Sequence, residues 1–138
     1  MHDKIVQVLN ASEFVPAAGQ GVIAVECLSD NYVLRSLLQK INCPITEVCL
    51  TAERDMCRAL QATCQSPVAA HARCENNLIT LEGLVASPDG SIIKRVTAVT
   101  IAQEFNQLGL EVAKKLIQQG AMEIIRLAKE QILSSVTA

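Results

Sequence analysis

The chain has 138 residues, half of them hydrophobic and 19% charged, with a formal net charge of -2. This is the length of one domain with enough apolar content to bury a core, so disorder is excluded and no disulfide or metal staple is required for folding. The near-neutral, slightly acidic balance argues against nucleic acid and against a polybasic membrane surface, and no apolar run approaches the roughly 20 residues that span a bilayer.

The opening stretch MHDKIVQVLN has neither the basic start nor the apolar run of a secretory signal, so a cytoplasmic location is expected. Ile5, Val6, Val8 and Leu9 form a short apolar patch. Pro16-Ala-Ala-Gly19-Gln20-Gly21 then breaks the chain, and residues 22–27 (VIAVEC) read as a short, buried strand rich in β-branched side chains. Glycines on both sides of Gln20 predict tight backbone geometry or the close approach of a partner. The third glycine of a dinucleotide fingerprint is missing. On the residues alone, a glutamine between glycines is more often a turn residue than a ligand.

A first helix is predicted from residue 29, capped by Ser29 or Asp30, with Val33, Leu34, Leu37, Leu38 and Ile41 on one face. Asn42-Cys43-Pro44 ends it. A second helix over about 45–61 carries Ile45, Val48, Cys49, Ala52, Met56, Ala59 and Leu60 as its apolar stripe. Residues 62–67 (ATCQSP) read as a loop. Strands follow at about 68–74, 78–87 and 92–101, separated by Asn76-Asn77 and by Pro88-Asp89-Gly90-Ser91. Connections this short make an antiparallel meander. The rest is helical: Phe105, Leu108, Val112 and Leu116 share a face, Gly120 is placed to end that helix, and a last helix covers about 121–133.

The predicted fold is α+β: a small three-stranded antiparallel sheet with helices packed on one face, preceded by an orphan strand at 22–27 with no partner of its own. Two units are expected, 1–28 and 29–138. An unpaired apolar strand also predicts self-association of the chain.

Chemistry concentrates on helix two. Glu53, Arg54, Asp55 and Arg58 sit on its polar side, with Arg54 and Arg58 one turn apart, and the helix leads into the loop that holds Cys64. A loop cysteine near two guanidiniums is placed to act as a nucleophile or covalent anchor, and the arginines suit a carboxylate-rich ligand. The plain alternatives are an inert thiol and a solvated charged face. Cys27, Cys43, Cys49, Cys57 and Cys74 are read as small core hydrophobes, all reduced. With no C-x-x-C and only His2 and His71, no metal is expected. A thiol-redox role is weakened by the absence of a resolving cysteine at redox spacing.

Five stretches occur together in order: Phe14-Val-Pro-Ala-Ala-Gly-Gln-Gly-Val-Ile-Ala-Val-Glu26, Thr51-Ala-Glu-Arg-Asp-Met56, Leu60-Gln-Ala-Thr-Cys64-Gln-Ser-Pro67, Pro88-Asp-Gly-Ser91 and Gly120-Ala-Met-Glu-Ile124. This set resembles the C-terminal part of the porphobilinogen deaminase family, also called hydroxymethylbilane synthases, over about 5–133. The resemblance implies a transferase of tetrapyrrole and heme biosynthesis that condenses four porphobilinogens into hydroxymethylbilane with loss of ammonia. It implies a dipyrromethane cofactor held by a thioether to Cys64. It places Gln20 near that cofactor, Arg54 on the growing pyrrole chain, and Glu53 in an ion pair across domains. The family's catalytic aspartate, with most of its carboxylate-binding side chains, lies in two N-terminal lobes. Residues 1–28 then correspond to the tail of those lobes and 29–138 to the cofactor-anchoring domain, with the lobes as expected partners and no catalytic residue in this chain. Without those lobes this chain by itself is expected to be inactive, with dipyrromethane absent from it; Met1 falls where the family has continuous chain and reads as an internal methionine used as a start. The alternatives are a module that binds a separate N-terminal partner and an inert fragment. One departure stands out: Ala62-Thr63 replaces the family's glycine pair, and Thr63 would be strained if that position required a positive φ.

Overall fold

Three stretches separated by turn residues form the sheet, the second and third of them rich in β-branched side chains. In the computed structural model, which describes residues 4–136 and side chains as far as residue 134, they are β1 (Val68–Glu75), β2 (Leu78–Ala86) and β3 (Ile93–Ile101). The order is β1-β2-β3 and both pairings are antiparallel, with Ala70 opposite Gly83 and Gly83 opposite Val96. Asn76 and Asn77 take φ of 51° and 61° in the first turn, a conformation that asparagine tolerates.

The helices are α1 (Tyr32–Gln39), α2 (Pro44–Ala59), α3 (Leu108–Gln118) and α4 (Ala121–Val136), with a 3-10 turn (Ala102–Gln107) leading into α3. Alternate strand positions Ala70, Ala72, Ile79, Leu81, Val85, Val96 and Ala98 point to one face. There they meet Ala52, Met56 and Leu60 of α2, Leu108, Val112, Ala113 and Leu116 of α3, and Ile124 and Ile125 of α4. The predicted α+β layering is therefore present. Gly109 is what brings α3 against α2: a Cβ there would overlap the Ala52 carbonyl oxygen.

Several expectations change in detail. The cap of α1 is Asn31, not Ser29 or Asp30, because its short side chain reaches the Leu34 amide three residues on (3.0 Å). Pro44 begins α2, where its missing N–H is harmless. The apolar stripe of α1 is exposed, and no residue of α1 is buried. Residues 22–27 form no strand and pair with none among the described residues, and Ile23 is 91% exposed. Cys49, Cys57 and Cys74 pack against the core as expected, whereas Cys27 is only half-buried and Cys43 is exposed as the residue preceding α2. All the cysteines are free. His71 is half-buried on β1, and His2 lies outside the described residues.

The open face of the sheet is partly covered by the chain before α1. Glu82 points to that face yet is 7% exposed, because Arg95 from the neighbouring strand pairs with its carboxylate and also donates to the Ser12 carbonyl. At the outer edge of β1, the Ala70 amide donates to the Pro16 carbonyl (3.0 Å) and the Ala72 amide to the Glu53 carboxylate (2.7 Å). Residues 12–19 thus form a strap across the sheet. It satisfies edge groups that would otherwise invite strand addition.

Candidate functional site

Two parts of the chain build the site. The strap ends in two successive turns: the Gln20 amide donates to the Ala17 carbonyl and the Val22 amide to the Gly19 carbonyl, both at 3.0 Å. Gly19 (φ 76°) and Gly21 (φ 80°) bracket Gln20, so the pair predicted to signal tight geometry does so. Gln20 is left exposed between them.

Helix α2 supplies the rest. Arg54 is exposed and lines a groove of about 950 Å³ together with Gln20, Leu50, Cys43 and Arg35. Residues 22–25 line this groove together with residues of α1 and α2. Arg54 and Gln20 therefore line the same groove. Arg58 is not part of the groove; it pairs with Asp55 at 2.8 Å one turn away.

Glu53 corrects the reading of α2 as having four charges on one solvated side. It is 6% exposed and lies beneath the strap. It also makes no ion pair among the described residues. Its two carboxylate oxygens instead accept from the Gly19 and Ala72 amides, both at 2.7 Å. Hydrogen bonds to a charged group contribute about 1.5–3 kcal/mol each, which offsets the burial of the carboxylate.

Cys64 is exposed on the loop between α2 and β1 and does not line the groove. The loop is closed around it by the Thr63 amide donating to Ser66 Oγ (2.9 Å) and the Ser66 amide donating to the Thr63 carbonyl (3.0 Å). Neither Ala62 nor Thr63 has positive φ, so the conditional strain at the replaced glycine pair is not realised. The left-handed position falls one residue earlier, on Gln61 (φ 51°). There the Ala62 amide bonds back to the Cys57 carbonyl (2.9 Å) and the Gln61 amide to that of Arg58 (3.0 Å), closing α2 in a Schellman motif.

Sequence reasoning missed two features of this region. One is Cys43, exposed at the groove, whose thiol is held below its ordinary value, chiefly by the Thr46 side chain and also by its amide. The other is the Arg95 bridge from Glu82 to the strap, signalled only by a carboxylate at an outward position in an otherwise apolar strand. Burial pushes the Cys49 and Cys57 thiols up. No group of His, Cys, Asp and Glu among the described residues could hold a metal ion, and no helix there is long and apolar enough to cross a membrane.

Comparison with known proteins adds the following. The family profile described as porphobilinogen deaminase, C-terminal domain, matches residues 47–118. The porphobilinogen deaminase of Neisseria meningitidis serogroup B is 43% identical over 122 residues, 88% of this chain and 39% of the relative. Those of Laribacter hongkongensis and Coxiella burnetii (strain RSA 493) are 39% and 35% identical over 127 and 130 residues, 92% and 94% of this chain. The chain spans about two fifths of the length of these relatives, 41% and 42% in the last two.

Proposed function

We propose a function on one premise: this chain belongs to the porphobilinogen deaminase family, with its C-terminal domain at residues 47–118. In this reading the chain is the cofactor-anchoring portion of a cytoplasmic hydroxymethylbilane synthase, which joins four porphobilinogens head to tail and releases ammonia. Cys64 is the residue that would hold dipyrromethane through a thioether, and Arg54 and Gln20 would bind the pyrrole side chains. The donor set suits such a group. Cys64 offers an exposed soft sulfur on a closed loop, Arg54 a guanidinium for acetate or propionate, and Gln20 an exposed amide. Bound dipyrromethane supplies the primer to which pyrrole units are added. The chain's own share is to hold carboxylates and to set the primer's attachment point. The family resemblance assigns the catalytic aspartate to the N-terminal lobes, and this chain spans only about two fifths of its relatives.

The observation that carries this reading is the groove shared by Gln20 and Arg54, which come from separate segments matching two of the family's stretches. A second reading, an inactive partner-binding module, is favoured by the exposed apolar surface of α1 and residues 22–25. The test combines the chain with an upstream portion and measures hydroxymethylbilane release. Turnover is expected in the combination, and neither in the chain alone nor in Cys64→Ser. Turnover by the chain alone, or by the Cys64→Ser combination, would refute the proposal.

A further inference from the structure

We infer that Glu53 is a positioning residue that holds Gln20 at the mouth of the groove; the inference rests on the pyrrole-binding reading above. The strap is fixed at Ser12 by Arg95 and at Pro16 by the Ala70 amide. Its last fixed point is Gly19, whose amide donates to Glu53 Oε2. Beyond Gly21 the chain has no regular structure as far as residue 28 and is mostly exposed. Gln20 thus sits one residue past the last anchor, and its own amide is turned back onto Ala17.

Gly19 is also tightly placed. A Cβ there would come within 3.2 Å of Leu50 Cδ1, and its φ is positive, so the chain passes close over α2. Glu53 reaches past it to the Ala72 amide at the sheet edge, so one buried carboxylate ties strap, helix and sheet together. Arg54 is the next residue on α2. A single peptide of this helix therefore sets both groove residues, Arg54 directly and Gln20 through the carboxylate of Glu53.

Glu53→Gln keeps the volume but replaces one acceptor oxygen with a donor, so one of the two amides loses its partner. Glu53→Ala removes both. The experiment measures backbone order at Gly19 and Gln20 by NMR in the whole chain, and titrates porphobilinogen while following the side-chain N–H signals of Gln20 and Arg54. Ile79→Val, in the core on β2, serves as a comparator that lowers stability without touching the strap.

Order at Gly19 and Gln20 is expected to fall in both Glu53 variants and to be kept in Ile79→Val. Porphobilinogen affinity should weaken about tenfold in Glu53→Gln, at least as much in Glu53→Ala, and not in Ile79→Val, the scale of one lost hydrogen bond to a charged group. Unchanged order at Gln20 in the Glu53 variants would overturn the inference, and so would equal weakening in Ile79→Val. A wild-type chain that takes up no porphobilinogen would count against the pyrrole-binding reading of the groove. In that case the order at Gln20 alone decides the role of Glu53, loosening supporting it and an unchanged Gln20 overturning it.

Discussion

Gln61→Gly should stabilise the chain, and Thr63→Gly should not. Helix α2 closes with Gln61 at φ 51°, and both cap hydrogen bonds depend on that conformation. The left-handed region costs a non-glycine residue about 1–2 kcal/mol, which glycine avoids and which outweighs the about 0.4–1 kcal/mol of extra unfolded-chain freedom that glycine brings. Residues 62 and 63 lie outside the positive-φ region, so glycine there only gives the unfolded chain more freedom, costing about 0.4–1 kcal/mol. Thr63→Gly also removes a hydroxyl that lies 3.4 Å from Ser66 Oγ. For a chain of this length 1 kcal/mol is worth about 3–4 °C of melting temperature. Thermal melts followed by circular dichroism should therefore rise by about 3 °C for Gln61→Gly and fall by about 2 °C for Thr63→Gly. A Thr63→Gly chain more stable than both wild type and Gln61→Gly would refute this account of the Cys64 loop.

The β2–β3 turn should respond to pH through Asp89. Ser87 Oγ (2.5 Å), the Ser91 amide (3.1 Å) and Ser91 Oγ (2.9 Å) all donate to its carboxylate and hold it near pKa 2 rather than 3.8. A depressed folded value means that this stabilisation is present above pH 3.8 and is lost as pH falls through about 2. The advantage of wild type over Asp89→Asn in urea melts should be constant above about pH 5 and shrink between pH 4 and 2; an advantage that grows on acidification would be inconsistent with these bonds. Thiol labelling at pH 7 with peptide mapping should modify Cys43 before Cys49 and Cys57, and Thr46→Val should slow Cys43 because its lowered value depends chiefly on the Thr46 side chain. Light scattering should detect association of the isolated chain through Ile23 and Leu37, both exposed, and Ile23→Asp should reduce it; a monomer across a wide concentration range would contradict this.

The sheet and the three helices on it were legible because their signals are local and mutually consistent. Ile79, Leu81 and Val85 alternate, Ala52, Met56 and Leu60 recur at the helical period, and Asn76-Asn77 marks a tight turn. Gln20 stood out by its flanking glycines and Arg54 by the charge cluster on its helix, and both line one groove. The role of Glu53 was not legible, since a carboxylate on a charged helix turn reads as solvated. Its burial comes from the strap crossing over it, a contact between residues far apart in the sequence. The stripe of α1 shows the opposite failure. Its periodicity predicts a buried face, but apart from the half-buried Leu38 that face is exposed among the described residues, and periodicity cannot say which surface a stripe will meet.

The central claim is that Cys64 anchors the pyrrole primer, and intact mass with peptide mapping of Cys64 tests it most directly. The chain produced together with an upstream portion of the enzyme should carry a two-pyrrole adduct on Cys64, and the chain produced alone should be unmodified. An adduct on Cys43 instead, or an unmodified Cys64 in a combination that turns over porphobilinogen, would contradict the account.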